Sequence, residues 1–343
     1  MGNEPIIIAV DAMGGDHAPN TNIQGALLAL EEEENLRVLL VGQTEEIQRE
    51  LGKSKTSRLE IVHADEIISM DDHASAAIRK KKGSSIHVGL ELVSAGKAHA
   101  FISAGNSGAV MAIALKVLSR LAGVERPAIL IKLPTAEGFS IVLDVGANVD
   151  SRPRHLVDFA QMGHIYAEVI EGIKKPRIGL LSNASESHKG TELTRETDAL
   201  LRARTDLNYM GYVEGFDLFR GTADVIVCDG FVGNVLLKSA EGFADTCFQW
   251  FRKAIKKDIL GWLGVALLYR LFRNFRKKFD YQPYGAAPLL GINGMVLISH
   301  GSSTKIAMRN GILTAKRGVE QDFMAKIAAY LEFHQNSERG DRS

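Results

Sequence analysis

Five short segments rich in glycine, asparagine, serine and charge punctuate this sequence, and their residue types suit the holding of an anion. The first is GGDHAP (14–19), which follows the apolar run Ile6–Val10 and Asp11. The others are SAGNSGA (103–109), DVGANVD (144–150), SNASESHKG (182–190) and DGFVGN (229–234). Glycine lets a backbone approach a ligand closely or adopt positive φ without a Cβ penalty. Unsatisfied amides at a helix start favour negative charge, helped by the helix macrodipole. One such turn is weak evidence. Five at successive strand ends, alongside Lys189 and His17, point to a converging anion pocket. For the first segment the competing reading is a tight strand-to-helix turn capped by Asp16 or Asn20.

The elements that must position these turns alternate along the chain. Apolar runs at 6–10, 36–41, 59–63, 98–102, 128–133, 139–144, 177–181, 207–212, 223–228 and 294–298 read as strands. Amphipathic patterns at 21–34, 85–95, 107–120, 153–173, 190–204, 230–256 and 303–333 read as helices between them. Such alternation predicts βαβ units: a Rossmann-like α/β fold with a mainly parallel sheet and helices on both faces. In such sheets ligands bind at the carboxyl ends of strands. No repeat or Pro/Gly linker divides the chain, so 1–337 reads as one α/β domain, with a disordered tail at 338–343.

Other signatures are missing. The first strand is not followed by GxGxxG, and neither GxxxxGK[ST] nor GxSxG occurs, which leaves dinucleotide, P-loop and serine-hydrolase chemistry unsupported. Cys228 and Cys247, the two cysteines, read as packing residues of a reducing compartment. Asp11, Asp16, Asp144 and Asp229 lack metal-ligand spacing, so neither metal nor cofactor is expected. Lys and Arg total 41, as do Asp and Glu, and zero net charge argues against bulk nucleic-acid binding. At 343 residues and 45% apolar, the chain can bury a sizeable core. The polar N-terminus does not read as a signal peptide.

Residues 248–280 break the pattern. Apolar residues recur at helical spacing, and Trp262, Leu263, Leu267, Leu268 and Phe272 cluster among Arg252, Lys256, Lys257, Arg270 and Arg273. The longest apolar stretch, Ile259 to Tyr269, is far shorter than the ~20 residues that span a bilayer. The segment reads as a protruding amphipathic helical element that lies on an anionic membrane or grips an acidic partner; a helical hairpin packed on a dimer mate is the plainer alternative. The RKKKGSS run at 79–85 reads as a solvated basic loop in preference to a partner patch.

Taken together, VDAMGGDHAP (10–19), SAGNSGA, DVGANVD, DGFVGNVLLK (229–238) and GINGMVLISHGSS (291–303) resemble, in order, the motifs of the bacterial phosphate acyltransferases of phospholipid synthesis. The resemblance runs from about residue 6 to about 333. It departs at Ala184 and Ala286, where the family pattern has glycine. It implies acyl transfer from acyl carrier protein to inorganic phosphate, a homodimer, and a cytoplasmic protein attached peripherally to the inner membrane face. Phosphate brings its own nucleophilic oxygen, so the protein's task would be positioning and oxyanion stabilisation. Lys189 then becomes the expected cation for phosphate or oxyanion, with Asn234 and Asn106 as side-chain donors. Gly14, Gly15 and Gly105 would let amides approach, Ser107 and Asn148 would line the site, His17 or Asp16 would handle a proton, and His300 would be a further donor. A soluble phosphate acetyltransferase-like enzyme using coenzyme A and a non-catalytic membrane scaffold are the alternatives.

Overall fold

The computed structural model describes residues 4–54, 56–186, 188–256, 267–268 and 285–340. An eleven-stranded sheet runs through the molecule in the order β3-β2-β1-β4-β11-β10-β5-β6-β9-β7-β8. Its strands are β1 (Ile6–Asp11), β2 (Leu36–Gly42), β3 (Leu59–His63), β4 (Ala100–Ser103), β5 (Ala128–Thr135), β6 (Gly138–Leu143), β7 (Arg177–Leu181), β8 (Asn208–Val213), β9 (Val225–Val227), β10 (Ala287–Leu290) and β11 (Met295–Ile298). Strands β3, β2, β1, β4 and β11 are mutually parallel, as are β6, β9, β7 and β8. Three antiparallel joints, β11–β10, β10–β5 and β5–β6, connect the two sets. The mainly parallel α/β sheet read from the sequence is thus present.

The direction of its second half follows from one turn. Strands β5 and β6 are separated by Ala136 and Glu137 alone, and Thr135 pairs with Gly138. Parallel neighbours need a crossover of a dozen residues or more, so so short a link makes a hairpin. Consequently β6, β9 and β7 end on the opposite sheet edge from β1, β4 and β11.

Successive residues of a strand face opposite sides of the sheet, and along β1 both sides are buried. Ile8 and Val10 of β1 face one core cluster, shared with α1 (Asn20–Glu32), α6 (Pro153–Val169), α9 (Lys305–Glu320) and α10 (Phe323–Gly340). Ala9 faces a second cluster with α4 (Ser85–Ser94) and α5 (Ser107–Val117). Beyond the joints, Val142 and Ile226 pack in a third cluster, against Leu236 and Leu237 of α8 (Gly230–Lys256).

Several elements differ from the sequence expectation. β10 is new: Pro288 disguises it, because proline argues against an interior strand. Here Ala287 and Pro288 pair with β11, while Leu289 and Leu290 pair with β5. Two short helices, α2 (Thr44–Leu51) and α3 (Ala74–Lys80), fall where none was read. The 303–333 helix is two helices, divided at Asp322, where φ is +53°. α10 continues through Gly340, past the expected start of the tail at 338, and no glycine or proline interrupts Phe323–Arg339. No helix among the described residues is long and apolar enough to cross a membrane. Of the 248–280 segment, α8 carries the part up to Lys256, with Arg252 exposed. Leu267 and Leu268 are exposed too. Lys257, Trp262, Leu263, Arg270, Phe272 and Arg273 lie outside the described residues.

Candidate active site

At the ends of β1, β4 and β11 three loops close on one another. Gly14 sits so tightly that a Cβ there would lie 2.4 Å from Asp11 Oδ2 and 2.6 Å from the Gly105 amide nitrogen. Gly15 has φ +102° and packs against Ala104 and the Gly301 carbonyl. The Asp16 amide donates to that same carbonyl at 2.8 Å. Gly14, Gly15, Asp16, Gly105, Asn106, Ser107 and His300 are therefore gathered at one edge, with His17 following on the same loop.

Two residues that the sequence reading left out of the site hold this arrangement. The Asp11 carboxylate, fully buried, accepts from the Met13 amide at 3.0 Å and from Ser103 Oγ at 2.6 Å. Ser103 Oγ in turn accepts from the Gly105 amide at 3.0 Å, so one carboxylate ties the glycine turn to the loop after β4. Burial pushes the Asp11 carboxyl above the usual range, against the hydrogen bonds of Ser103, Ser85, Met13 and Gly14. Buried Asn22 of α1 donates to the carbonyls of Asp11, Ala12 and Gly14 at 3.1, 3.1 and 2.8 Å. Its signal in the sequence was a polar residue on the apolar face of a helix, beside Ile23 and Ala26.

Asn106 has duties within the chain. Its Oδ1 caps α5 by accepting from the Ala109 amide, and its Nδ2 donates to the carbonyls of Ser69, Met70 and Asp72. The amides of Ser107 and Gly108, the first two of α5, precede the first intrahelical bond and point outward, as helix-start donors do. Ser107, Asp16, His17 and His300 are exposed. His300 Nδ1 accepts from the Ser302 amide at 3.2 Å.

The opposite edge holds a second cluster built on the same plan. Buried Asp144, at the end of β6, accepts from the amides of Ile129, Gly146, Ala147 and Asn148 and from Asn148 Nδ2. Burial raises this carboxyl as well. Asn148 Nδ2 also donates to the Pro127 carbonyl at 2.6 Å, so the side chain holds the turn. The start of α8 docks here: a Cβ at Gly233 would lie 1.9 Å from the Asp144 carbonyl oxygen, and Asn234 Cβ is 3.6 Å from a Cβ position at Gly146. Asp229 caps α8 by accepting from the Val232 amide. Lys189 is exposed on the loop after β7. The single pocket expected from five strand ends is thus divided: the turns after β1 and β4 gather at one edge, those after β6, β7 and β9 at the other. The β5–β6 hairpin is the cause. Cys228 is buried, its thiol raised by burial and by the neighbouring Asp144 and Asp229 carboxylates, as expected of a packing residue.

The whole-chain comparisons agree with this architecture. Among solved structures, a phosphotransacetylase from Streptococcus pyogenes superposes with TM-score 0.59 at 20% identity, covering 92% of this chain and 94% of its own. A branched-chain phosphotransacylase from Enterococcus faecalis gives 0.55 at 16% identity, covering 92% and 99%. At such identities the fold alone is shared. In sequence, a phosphate acyltransferase from Geobacter sulfurreducens is 49% identical over 327 residues, 95% of this chain and 94% of the relative. One from Geotalea uraniireducens is 50% identical over 326 residues, covering 93% and 94%. The sequence model described as fatty acid synthesis protein matches residues 6–326, and the chain accordingly belongs to that family.

Proposed function

We propose that this protein transfers a long-chain acyl group from acyl carrier protein to inorganic phosphate, releasing acyl phosphate for phospholipid synthesis. The observation that carries the reading is the β1–β4–β11 edge, where a paired-glycine turn pinned by Asp11 and Asn22 leaves the first amides of α5 outward, in a chain with no nucleotide motif. The names of its relatives support phosphate as acceptor and an acyl group as cargo.

In the reaction a phosphate oxygen attacks the thioester carbonyl, and the carbonyl oxygen takes up negative charge. Outward amides at Ser107 and Gly108 are suited to that oxyanion. The carbon–sulfur bond then breaks, and the departing thiolate takes a proton, for which His17 and Asp16 are the candidates. Whether the second cluster shares the reaction is read by Lys189: its removal should abolish the response to phosphate if both clusters act. Asn148 and Asn106 serve by holding loops.

The reading includes a homodimer and attachment to the inner membrane face. α8 favours an oligomer, since Phe231, Val235, Phe243 and Trp250 are exposed within about a third of its circumference. Exposed Leu267 and Leu268, within the basic 248–280 segment, favour the membrane. The direct test is phosphate-dependent loss of an acyl-carrier-protein thioester with detection of acyl phosphate. Turnover confined to short acyl-coenzyme A substrates would replace this reading with the acetyltransferase-like one.

A further inference from the structure

The basic run Arg79–Lys82 contains two kinds of side chain. Lys81 turns inward: its Nζ lies 2.5 Å from Asp72 Oδ2 and 2.8 Å from the Ile67 carbonyl, and the same carboxylate oxygen accepts from the Ser69 amide. It staples the loop that Asn106 holds from the other side. Arg79, Lys80 and Lys82 are exposed, and no acidic side chain pairs with them among the described residues. Exposed Lys116 of α5 belongs beside this run: its Nζ reaches the Ile78 carbonyl of α3 at 3.5 Å, one residue before Arg79.

The position of this surface gives it meaning. α3 packs along α5, and its first residue, Ala74, touches the first turn: a Cβ on Gly108 would lie 3.8 Å from Ala74 Cβ. A helix of seven residues at 1.5 Å per residue carries the basic end only about 10 Å from those outward amides. Met70, 51% exposed, lies at the start of α5: its carbonyl accepts from Asn106 Nδ2 at 3.0 Å and its Cε lies beside Gly301. The chain as a whole is neutral, so long-range attraction has to come from local excess, and screening over about 8 Å confines it to a surface close to its target.

We propose that Arg79, Lys80 and Lys82, with Lys116, form the docking surface for an acidic carrier protein, which delivers its tethered thioester past Met70 to the start of α5. The proposal rests on the acyl-transfer reading above for its cargo, and its test separates the two. Binding of fluorescently labelled holo carrier protein is measured by anisotropy for the wild type and for R79E/K80E/K82E, with turnover of a neutral acyl-pantetheine thioester as a second readout. Charge reversal should weaken binding roughly tenfold or more and abolish its salt dependence, while acyl-pantetheine turnover stays unchanged. R252E/K253E on α8 should leave carrier binding intact. Equal affinity of the triple variant and wild type overturns the proposal. So does a triple variant that loses only its binding to anionic phospholipid vesicles. If the triple variant is poorly folded, K82E alone should still weaken binding measurably. A wild type that binds the carrier through this surface but forms no acyl phosphate refutes the acyl-transfer reading and leaves the docking surface standing.

Discussion

Replacing Gly14 by alanine probes the structural premise of the site at a single atom. The added Cβ would stand 2.4 Å from Asp11 Oδ2, 2.6 Å from the Gly105 nitrogen and 2.8 Å from Gly105 Cα. Ordinary contact begins near 3.4 Å, so the turn has to move by about 1 Å relative to the loop after β4. Little can yield. Asp11 is fixed by Met13 and Ser103, and two of the three close atoms belong to backbone. Overpacking of this kind destabilises by about 1–3 kcal/mol. A displacement of about 1 Å in a positioning element lowers turnover by roughly 10²-fold. Phosphate-dependent thioester cleavage and the thermal midpoint measure the two effects separately. Gly96→Ala is the control, since Gly96 has φ +67° and nothing within 4 Å of its Cβ position. It should lose about 1–2 kcal/mol to backbone strain and keep full turnover. Wild-type turnover and midpoint in Gly14→Ala would show that the packing of this turn is irrelevant to the reaction.

Other expectations follow from the same geometry. If the second cluster acts with the first, Lys189→Ala should lose turnover and phosphate dependence together; a variant with normal phosphate kinetics removes the second cluster from the reaction. Leu263→Glu/Leu267→Glu should release the protein from anionic liposomes with its fold intact, and unchanged co-sedimentation sinks the membrane reading. Burial alone would raise the Asp206 carboxyl, but hydrogen bonds from Arg204 and Tyr330 and the charges of Arg204 and His334 hold it at about 2. Its stabilisation is therefore present above the usual 3.8 and lost as pH falls through about 2. At about 1–2 kcal/mol after solvent screening, it should make the urea midpoint of the wild type fall more steeply between pH 4 and 2 than that of Asp206→Asn. Parallel profiles would contradict that sign.

How much was legible in the sequence varies from residue to residue. Ile6–Asp11 followed by paired glycines announced a buried strand ending in a ligand turn, because periodicity and glycine chemistry are local properties. Asp11 was visible as a strand-end carboxylate, yet its partner Ser103 is distant in the chain, so its holding role emerges only when β1 and β4 pair. Asn106 and Asn148 looked like free donors by residue type; the Asn106 amide is occupied by carbonyls of the 69–72 loop, and that of Asn148 by the Pro127 carbonyl and the Asp144 carboxylate. Asn22 carried a faint signal, a polar residue on an apolar helix face, and only packing shows the three carbonyls it serves.

The sequence by itself determined the alternating α/β class, the strand ends rich in glycine and asparagine, and, through its motifs, the family. Those are written in residue order and spacing, which local physics can read. Which loops share an edge was decided by tertiary structure: the two-residue link between β5 and β6 reverses the second half of the sheet, sending the Asp144 and Lys189 loops away from Gly14. That short link was also in the sequence, but its consequence depends on how eleven strands are ordered. Strand order is set by long-range pairing, and no local pattern encodes it.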